Sequence, residues 1–254
     1  MRPFNIILVF IFLVSTKSFA TAQVPDYLII GVDTLRIQSN PLEEYFKINP
    51  IPENLITSMS TANWRGYIAY FKLLDNKLVV ENIYKEDYKE DNNGKSDYFL
   101  TSIYKDIFGE KANFDCDFYS GLLVCPSGEM LEYVHMGYSS LYEKYNLIEI
   151  KKGVNIKSKK LSGEDFQNFK IEYFKYFKGT EEYKLQAKQF KEMMLEVNES
   201  NVDSLDFDEN PKKKVKENKS LKRKEAEFKA DKQLDSFMFA FLNDYIKTIE
   251  IPNN

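Results

Sequence analysis

The stretch RGYIAYFKLLDNKLVVENIY, residues 65–84, decides the fold. Two runs rich in aromatic and β-branched residues flank Asp75-Asn76, and a two-residue turn signal between such runs predicts a β-hairpin. Along the first run, alternate side chains point to opposite faces of a strand, and both faces carry apolar residues. We therefore expect a central strand that is covered on both sides.

Weaker β signals surround this hairpin. Residues 27–30 and 34–37 flank Gly31-Val32-Asp33 and predict a second hairpin. Pro41 follows Asn40, which predicts a short helix that begins at Pro41 and is capped by Asn40. Further strands are expected at 114–125, 129–136 and 146–151, with Pro126-Ser127-Gly128 as the turn between the first two.

Helical spacing appears in two places. Residues 85–97 are charged and predict a solvated loop, after which Ser96 is expected to cap a helix that stops at Gly109. After Gly153 the pattern becomes helical, and Ser162 with Asp165 resembles a capping box. The fold class is therefore α+β: a mainly antiparallel sheet over residues 23–158 with short helices, then a helical region over 159–254 with a charged linker at 198–224.

The N-terminus has the three parts of a secretory signal peptide. Arg2 precedes an apolar run of about a dozen residues, and Ala20-Thr21-Ala22 ends it with the small residues of a cleavage site. The run is shorter than the roughly 20 apolar residues that span a bilayer. We expect export to the periplasm or the medium, with cleavage after Ala22 or, alternatively, Ala20, and no transmembrane span afterwards.

Charge and composition exclude several classes of partner. Removal of 22 residues takes away Arg2 and Lys17, so 35 − 2 = 33 basic and 39 acidic side chains remain, a net charge of −6. This balance argues against general binding to nucleic acid. The basic run at 212–224 is interpreted as part of a solvated linker, with attraction to an anionic surface as the alternative.

Few residues suited to metal or nucleophile chemistry are present. One histidine and two cysteines are too few for a zinc site of the usual kind, and the common metalloprotease, serine-hydrolase and phosphate-loop patterns do not occur. We expect no metal and no cofactor. Acidic residues are too numerous to mark a carboxylate site.

Cys116 and Cys125 raise the question of a disulfide. A two-residue turn at Ser120-Gly121 would place them opposite each other in a hairpin, with α-carbons about 4.5 Å apart, within disulfide range. Export favours oxidation. The competing turn at Pro126-Ser127-Gly128 would leave both cysteines on one strand and unbonded.

Four residues are candidates for a site. Trp64 and Arg65 precede the first strand of the hairpin, where they suit a stacking platform for a ligand, or where Trp64 plugs the end of a sheet. His135 and Glu132 lie in LEYVHMGY, residues 131–138, and are weak candidates for a general base. The alternative for His135 is a partly buried, hydrogen-bonded side chain.

Three blocks carry a resemblance. They are residues 33–43, the STANWRGYIA stretch at 60–69, and residues 126–138 with LEYVHMGY. They resemble blocks in a group of uncharacterised, often exported bacterial proteins, over about residues 27–152. The resemblance implies an exported protein in which residues 27–152 form one unit. It implies no activity and no site residue.

These observations favour a non-catalytic binding or interaction protein outside the cytoplasm, with an unidentified protein or envelope ligand as partner. The alternative is an envelope hydrolase that uses carboxylates, with His135 or Glu132 as base. A pocket that gathers carboxylates of raised pKa would favour the enzyme. A flat or apolar exposed patch would favour the binding protein.

Overall fold

A computed structural model of the protein describes residues 22–56, 60, 62–90, 96–134, 136–203 and 231–252. Over these residues the fold is mixed, with a large, mostly antiparallel sheet and few helices. The strands are β1 Asp26–Ile30, β2 Asp33–Ile37, β3 Tyr67–Leu74, β4 Lys77–Glu90, β5 Ser96–Ser102, β6 Phe114–Asp115, β7 Gly121–Glu132, β8 Leu141–Lys151 and β9 Val154–Ser162. The helices are α1 Pro41–Phe46, α2 Tyr104–Phe108, α3 Gly163–Phe177, α4 Glu181–Asp203, α5 over 231–240, and a 3-10 turn at Leu242–Asp244.

The described strands form a single sheet that curls. Its order is β2-β1-β3-β4-β9-β8-β7, and β5 and β6 also pair with β4. Of the pairings between these described strands, β1–β3 is parallel and the others are antiparallel. The two ends of this order approach each other, because the backbone amide of Gln38, just after β2, donates to the carbonyl of Val124 in β7 at 2.7 Å.

Two hydrophobic cores lie on opposite faces of β7 and β8. Leu123 and Cys125 pack into the first core, inside the curl, together with Leu28, Phe71 and Ile148. Their neighbours in β7 point to the opposite face, into a second core that β7 and β8 form with α3 and the C-terminal segment. The buried residues of this second core are Leu122, Val124, Tyr145, Leu147, Phe166, Tyr173, Phe177, Met238, Leu242, Ile246 and Ile249. Burial of both faces explains why β7 begins as a continuous apolar run.

Both predicted hairpins are confirmed. β1 pairs with β2 around Gly31, and β3 pairs with β4 around Asp75-Asn76, where both turn residues have positive φ. β3 lies between β1 and β4, so its central position is also confirmed. Helix α1 begins at Pro41 as expected, but the Asn40 side chain makes no capping hydrogen bond and instead binds a residue far along the chain.

The predicted loop at 85–97 and the predicted helix from Ser96 are wrong over most of their length. β4 continues to Glu90 and pairs with β5, which starts at Ser96, so this region is a long hairpin. Only Tyr104–Phe108 is helical, and Gly109 ends it with φ +73°. Apolar residues at 98, 100, 103, 104 and 107 fit a helix, but the first two also fit the alternation of a strand.

Pro126-Ser127-Gly128 is not a turn. β7 runs through it, and the register with β8 shifts after Ser127, which marks a bulge where Gly128 has φ +76°. The predicted hairpin at Ser120-Gly121 is wrong as well, because Cys125 lies opposite Asn146 of β8. Cys116 and Cys125 are both buried and unbonded.

The helical region begins later than the sequence predicted, because a further strand precedes it. β9 follows Gly153, and α3 begins only at Gly163. The expected N-cap is present, since the Ser162 hydroxyl oxygen accepts from the Asp165 amide at 3.1 Å. The Asp165 carboxylate accepts from the Ser162 hydroxyl, whereas the second bond of a full capping box would come from the Ser162 amide. The signal peptide, apart from Ala22, and residues 204–224 of the predicted linker lie outside the described residues; 198–203 form the end of α4.

The described helices are short or polar by the standard of membrane-spanning segments. None of those in the described ranges combines the length and the apolar composition needed to cross a bilayer.

Candidate functional site

Arg65 lies in the interior rather than at a ligand platform. Its Nη2 is 3.2 Å from Asp26 Oδ1, and both side chains are 0% exposed. Nη2 also donates to the Val24 carbonyl at 3.0 Å, and the Ala69 amide donates to Asp26 Oδ1 at 2.9 Å. The Arg65 guanidinium also lies over the Tyr67 ring, 5.4 Å from its centroid. This ion pair therefore joins the start of β1 to the start of β3.

A chain of hydrogen bonds runs from Arg65 to the C-terminal segment. Arg65 Nη1 donates to the Tyr138 hydroxyl at 3.2 Å, and that hydroxyl donates to Asn40 Oδ1 at 2.9 Å. The Asn40 backbone amide donates to Asp244 Oδ1 at 2.8 Å, and Asn40 Nδ2 donates to Oδ2 at 3.0 Å. We call Asp26, Arg65, Tyr138, Asn40 and Asp244 the buried polar network.

Burial controls the ionisation of this network. It raises the pKa of Asp244 to about 6, although the Asn40 donors and Arg65 oppose the shift. Burial likewise raises the pKa of Asp26, against the Arg65 charge. For Arg65 burial acts to lower the pKa, but the Asp26 charge and the neighbouring tyrosines outweigh it, so the guanidinium stays charged. Within the described residues, Asp26 Oδ2 and Arg65 Nε have no hydrogen-bond partner.

Two carboxylates of raised pKa thus share one network, but Asp26 is sealed from solvent by the ion pair and Asp244 is held by Asn40. Neither carboxylate lines the cavity that residues of β7, β8 and β9 form.

The other predicted site residues do not join Arg65. Trp64 is 48% exposed, so it does not plug the sheet. Glu132 is exposed at the end of β7, and His135 lies outside the described residues. The segment after His135 does return to Arg65, since Tyr138 binds it and the Gln23 amide donates to the Gly137 carbonyl at 3.2 Å.

An aromatic surface lies on the outer face of the sheet. In register, Tyr27 of β1 lies beside Tyr70 of β3, and Tyr88 of β4 lies opposite Tyr98 of β5. Tyr84 shares this face because it is two positions from Asn82, the partner of Tyr70. We call these five residues the tyrosine face.

Contacts between rings hold the tyrosine face together. Tyr27 and Tyr70 stack with centroids 4.8 Å apart, and Tyr70 meets Tyr84 edge-on at 5.4 Å. Tyr88 and Tyr98 form a second edge-on pair at 5.7 Å. Burial and then the Glu86 carboxylate raise the pKa of Tyr98, and Tyr88 and Tyr27 add to the shift.

The exposed end of this face is tied to the loop that carries Trp64 and Arg65. Tyr88 is 55% and Tyr98 52% exposed. The Tyr98 hydroxyl donates to Glu86 Oε1 at 3.3 Å, while Asn63 Nδ2 donates to the other Glu86 oxygen at 3.1 Å. Asn63 and Glu86 are themselves buried, so they fix the geometry of the exposed rings from below.

Sequence reasoning missed the tyrosine face because it placed Tyr88 in a loop and Tyr98 in a helix. A usable signal was present: Asn93-Gly94, a strong hairpin dipeptide, stands between a stretch that carries Tyr84 and Tyr88 and a stretch that carries Tyr98. The buried polar network left no comparable signal, since Arg65 and Tyr138 are 73 positions apart.

The described residues also bear on two other kinds of chemistry, metal binding and nucleophilic attack by a thiol. Among the described residues, no group of three or more histidine, cysteine or acidic side chains is placed to hold a metal ion. Burial raises the pKa of Cys125 to about 12, and it raises the pKa of Cys116 further, with help from Asp115 and Asp117. Both thiols are therefore poor nucleophiles in the folded protein.

No protein-family model, curated protein or solved structure matches this chain.

Proposed function

We propose that the chain is an exported, non-catalytic binding protein that holds its ligand or partner on the tyrosine face. The observation that carries the proposal is the exposure of Tyr88 and Tyr98 beside three further tyrosines on one face. Tyrosine combines a large apolar ring with a polar hydroxyl at small entropic cost, which is why it is frequent at binding surfaces. Exposed aromatic surface of this kind marks interaction sites.

The support of the rings from below favours recognition over chance exposure. Glu86 is hydrogen-bonded to Asn63 and Tyr98, and Asn82 Nδ2 donates to the Tyr84 hydroxyl at 2.8 Å. Rings whose hydroxyls are already oriented lose little freedom on binding. Lys72, which shares a face of β3 with Tyr70, is paired with Glu81 at 3.5 Å.

The carboxylate hydrolase remains the alternative prediction. Its proposed base Glu132 is exposed, and the two carboxylates of raised pKa lie in the buried polar network. We expect His135→Ala and Glu132→Gln to leave binding unchanged.

Co-sedimentation with a bacterial cell-envelope fraction tests the proposed face. Tyr88→Ala/Tyr98→Ala is expected to reduce the bound fraction at least fivefold, while unfolding near the wild-type temperature. Tyr133→Ala is the matched control, since Tyr133 is 52% exposed beyond the end of β7. Equal binding by the wild type and the double variant would refute the assignment of the tyrosine face.

Export is tested separately by mass spectrometry of the protein from cell fractions. The expected species begins after Ala22 or Ala20 and is found outside the cytoplasm. If the chain still begins at Met1 and is found in the cytoplasm, the proposed export is wrong.

A further inference from the structure

Away from the tyrosine face, residues of β7, β8 and β9 line a cavity of about 560 Å³. Its volume is in the range of small-molecule sites, about 300–1,000 Å³. Four of the lining residues that bear hydrogen-bond donors are Ser127, Lys144, Asn146 and Lys160. We propose that this cavity binds a phosphate-bearing ligand.

The strand register places the four donors on one side of the sheet. Ser127 lies opposite Lys144, and Asn146 lies opposite Lys160. Lys144 and Asn146 are two positions apart on β8, so their side chains share a face. Lys144 and Lys160 are then diagonal neighbours, about 7–8 Å apart at their α-carbons. Two flexible ammonium groups at this separation can reach the same anion.

Charge favours an anion at this place. Two lysines converge in a chain whose net charge is −4. Glu143 lines the rim and lies 3.7 Å from Lys144, so it neutralises one of the two cations and leaves an excess positive charge. Lys160 faces Asn146, an uncharged cross-strand partner. Like charges held on one face of a sheet repel each other, and a bound anion removes that repulsion.

The number and type of donors favour phosphate over carboxylate. The side chains of these four lining residues carry two ammonium groups, one hydroxyl and one amide NH₂. A phosphate monoester presents three acceptor oxygens, whereas a carboxylate presents two, and lysine commonly binds phosphate as a point charge. Ser162 also lines the cavity, but its hydroxyl donates to Asp165 Oδ2 at 2.7 Å and so belongs to the helix cap.

The test is an NMR titration of the ¹⁵N-labelled protein with inorganic phosphate at constant ionic strength. Saturable shifts are expected at the amides of residues 127, 144, 146 and 160. In Lys144→Gln/Lys160→Gln the apparent Kd should rise at least tenfold. The matched control is Lys157→Gln/Lys159→Gln, which removes the same charge from the opposite face of the sheet, where Lys159 pairs with Leu147.

Flotation with vesicles of phosphatidylglycerol and phosphatidylcholine separates the two sources of phosphate. Vesicle binding that is lost only in Lys144→Gln/Lys160→Gln would identify a lipid headgroup as the source. Phosphate-induced shifts without vesicle binding would identify a soluble phosphate ester. Equal effects of the two double variants, or no saturable shift together with no vesicle binding, would overturn the proposal.

Discussion

The interior guanidinium of Arg65 is placed where a lone charge would be very costly. Its counter-ion Asp26 accepts from both Arg65 and the Ala69 amide, so each charge is compensated by the other and by backbone dipoles. Removal of one partner of a buried pair leaves the other uncompensated, which typically costs about 3–5 kcal/mol. The pair therefore fixes the start of β1 against β3 more through the cost of breaking it than through its net attraction.

Asp26→Ala is accordingly expected to lower the free energy of unfolding by about 3–5 kcal/mol, measured by urea denaturation. Glu110→Ala is the control, because it breaks the exposed Lys105–Glu110 pair, whose side chains are 72% and 83% exposed. A loss of at most about 1 kcal/mol is expected there. Similar losses for both variants would show that the interior pair has no special role.

Asp244 predicts an unusual dependence of stability on pH. Its pKa is about 6 in the folded protein against an ordinary value of 3.8. Between these values the folded state holds a proton that the unfolded state has lost, so stability falls as pH rises through this window. Relative to Asp244→Asn, the wild type should lose about 2 kcal/mol between pH of about 4.5 and about 7.5.

The groups that face Asp244 are present in both proteins of this comparison; they are Asn40, Glu43, Arg65, Tyr119, Tyr138, Lys170 and Tyr245. Their own titration therefore cancels to first order. Urea unfolding curves of the two proteins at several pH values measure the difference. A difference that stays constant with pH would show that Asp244 ionises normally.

Two turns between strands differ in how closely another backbone segment approaches their glycine. Gly31 in the β1–β2 turn and Gly153 in the β8–β9 turn both have positive φ, +63° and +75°. A Cβ at Gly31 would meet nothing within 4 Å, whereas one at Gly153 would lie 2.8 Å from the Cys116 carbonyl oxygen. Both positions strain an L-residue, but only Gly153 also excludes it by contact.

We expect Gly31→Ala to cost about 1–2 kcal/mol, the usual strain of the left-handed region. Gly153→Ala should cost at least about 1 kcal/mol more, because the backbone of residue 116 must move. Thermal unfolding of the two variants measures the difference. A smaller loss at Gly153 than at Gly31 would contradict the close approach of the two segments.

Elements with a strong local pattern were predictable from the sequence, and elements shaped by distant contacts were not. The β3–β4 hairpin follows from alternation and a turn signal between neighbouring residues. The turn that the sequence predicts at Pro126-Ser127-Gly128 would divide β7 at Pro126. In the structure Pro126 lies within β7, just before the bulge after Ser127. The pairing of this part of β7 with β8 leaves no signal in the local sequence.

The same limit applied to the candidate site. The sequence marks Arg65 as a candidate for ligand binding, whereas in the structure its partners are Asp26 and Tyr138, 39 and 73 positions away. The sequence therefore could not show that its charge is sealed in the interior. The tyrosine face required the β4–β5 register, since only pairing places Tyr88 beside Tyr98.

At the scale of the whole molecule, the C-terminal segment completes the second core. Leu242, Ile246 and Ile249 are almost fully buried against Leu122, Val124 and their neighbours. The Leu122 amide donates to the Ile246 carbonyl at 3.0 Å, and Asp244 accepts from Asn40. This short segment thus closes a core whose other residues come from the sheet and α3.

A variant that ends at residue 241 is therefore expected to lose its cooperative unfolding transition. Burial of each large aliphatic side chain contributes about 1.5–3 kcal/mol, so the three lost side chains remove roughly 5–9 kcal/mol. That loss is comparable to the whole stability of a typical domain, about 5–15 kcal/mol. The control ends at Pro252 and keeps the three side chains. Near-UV circular dichroism during urea unfolding measures the effect, and a native-like transition in the shorter variant would show that the sheet and its first core are stable without the C-terminal segment.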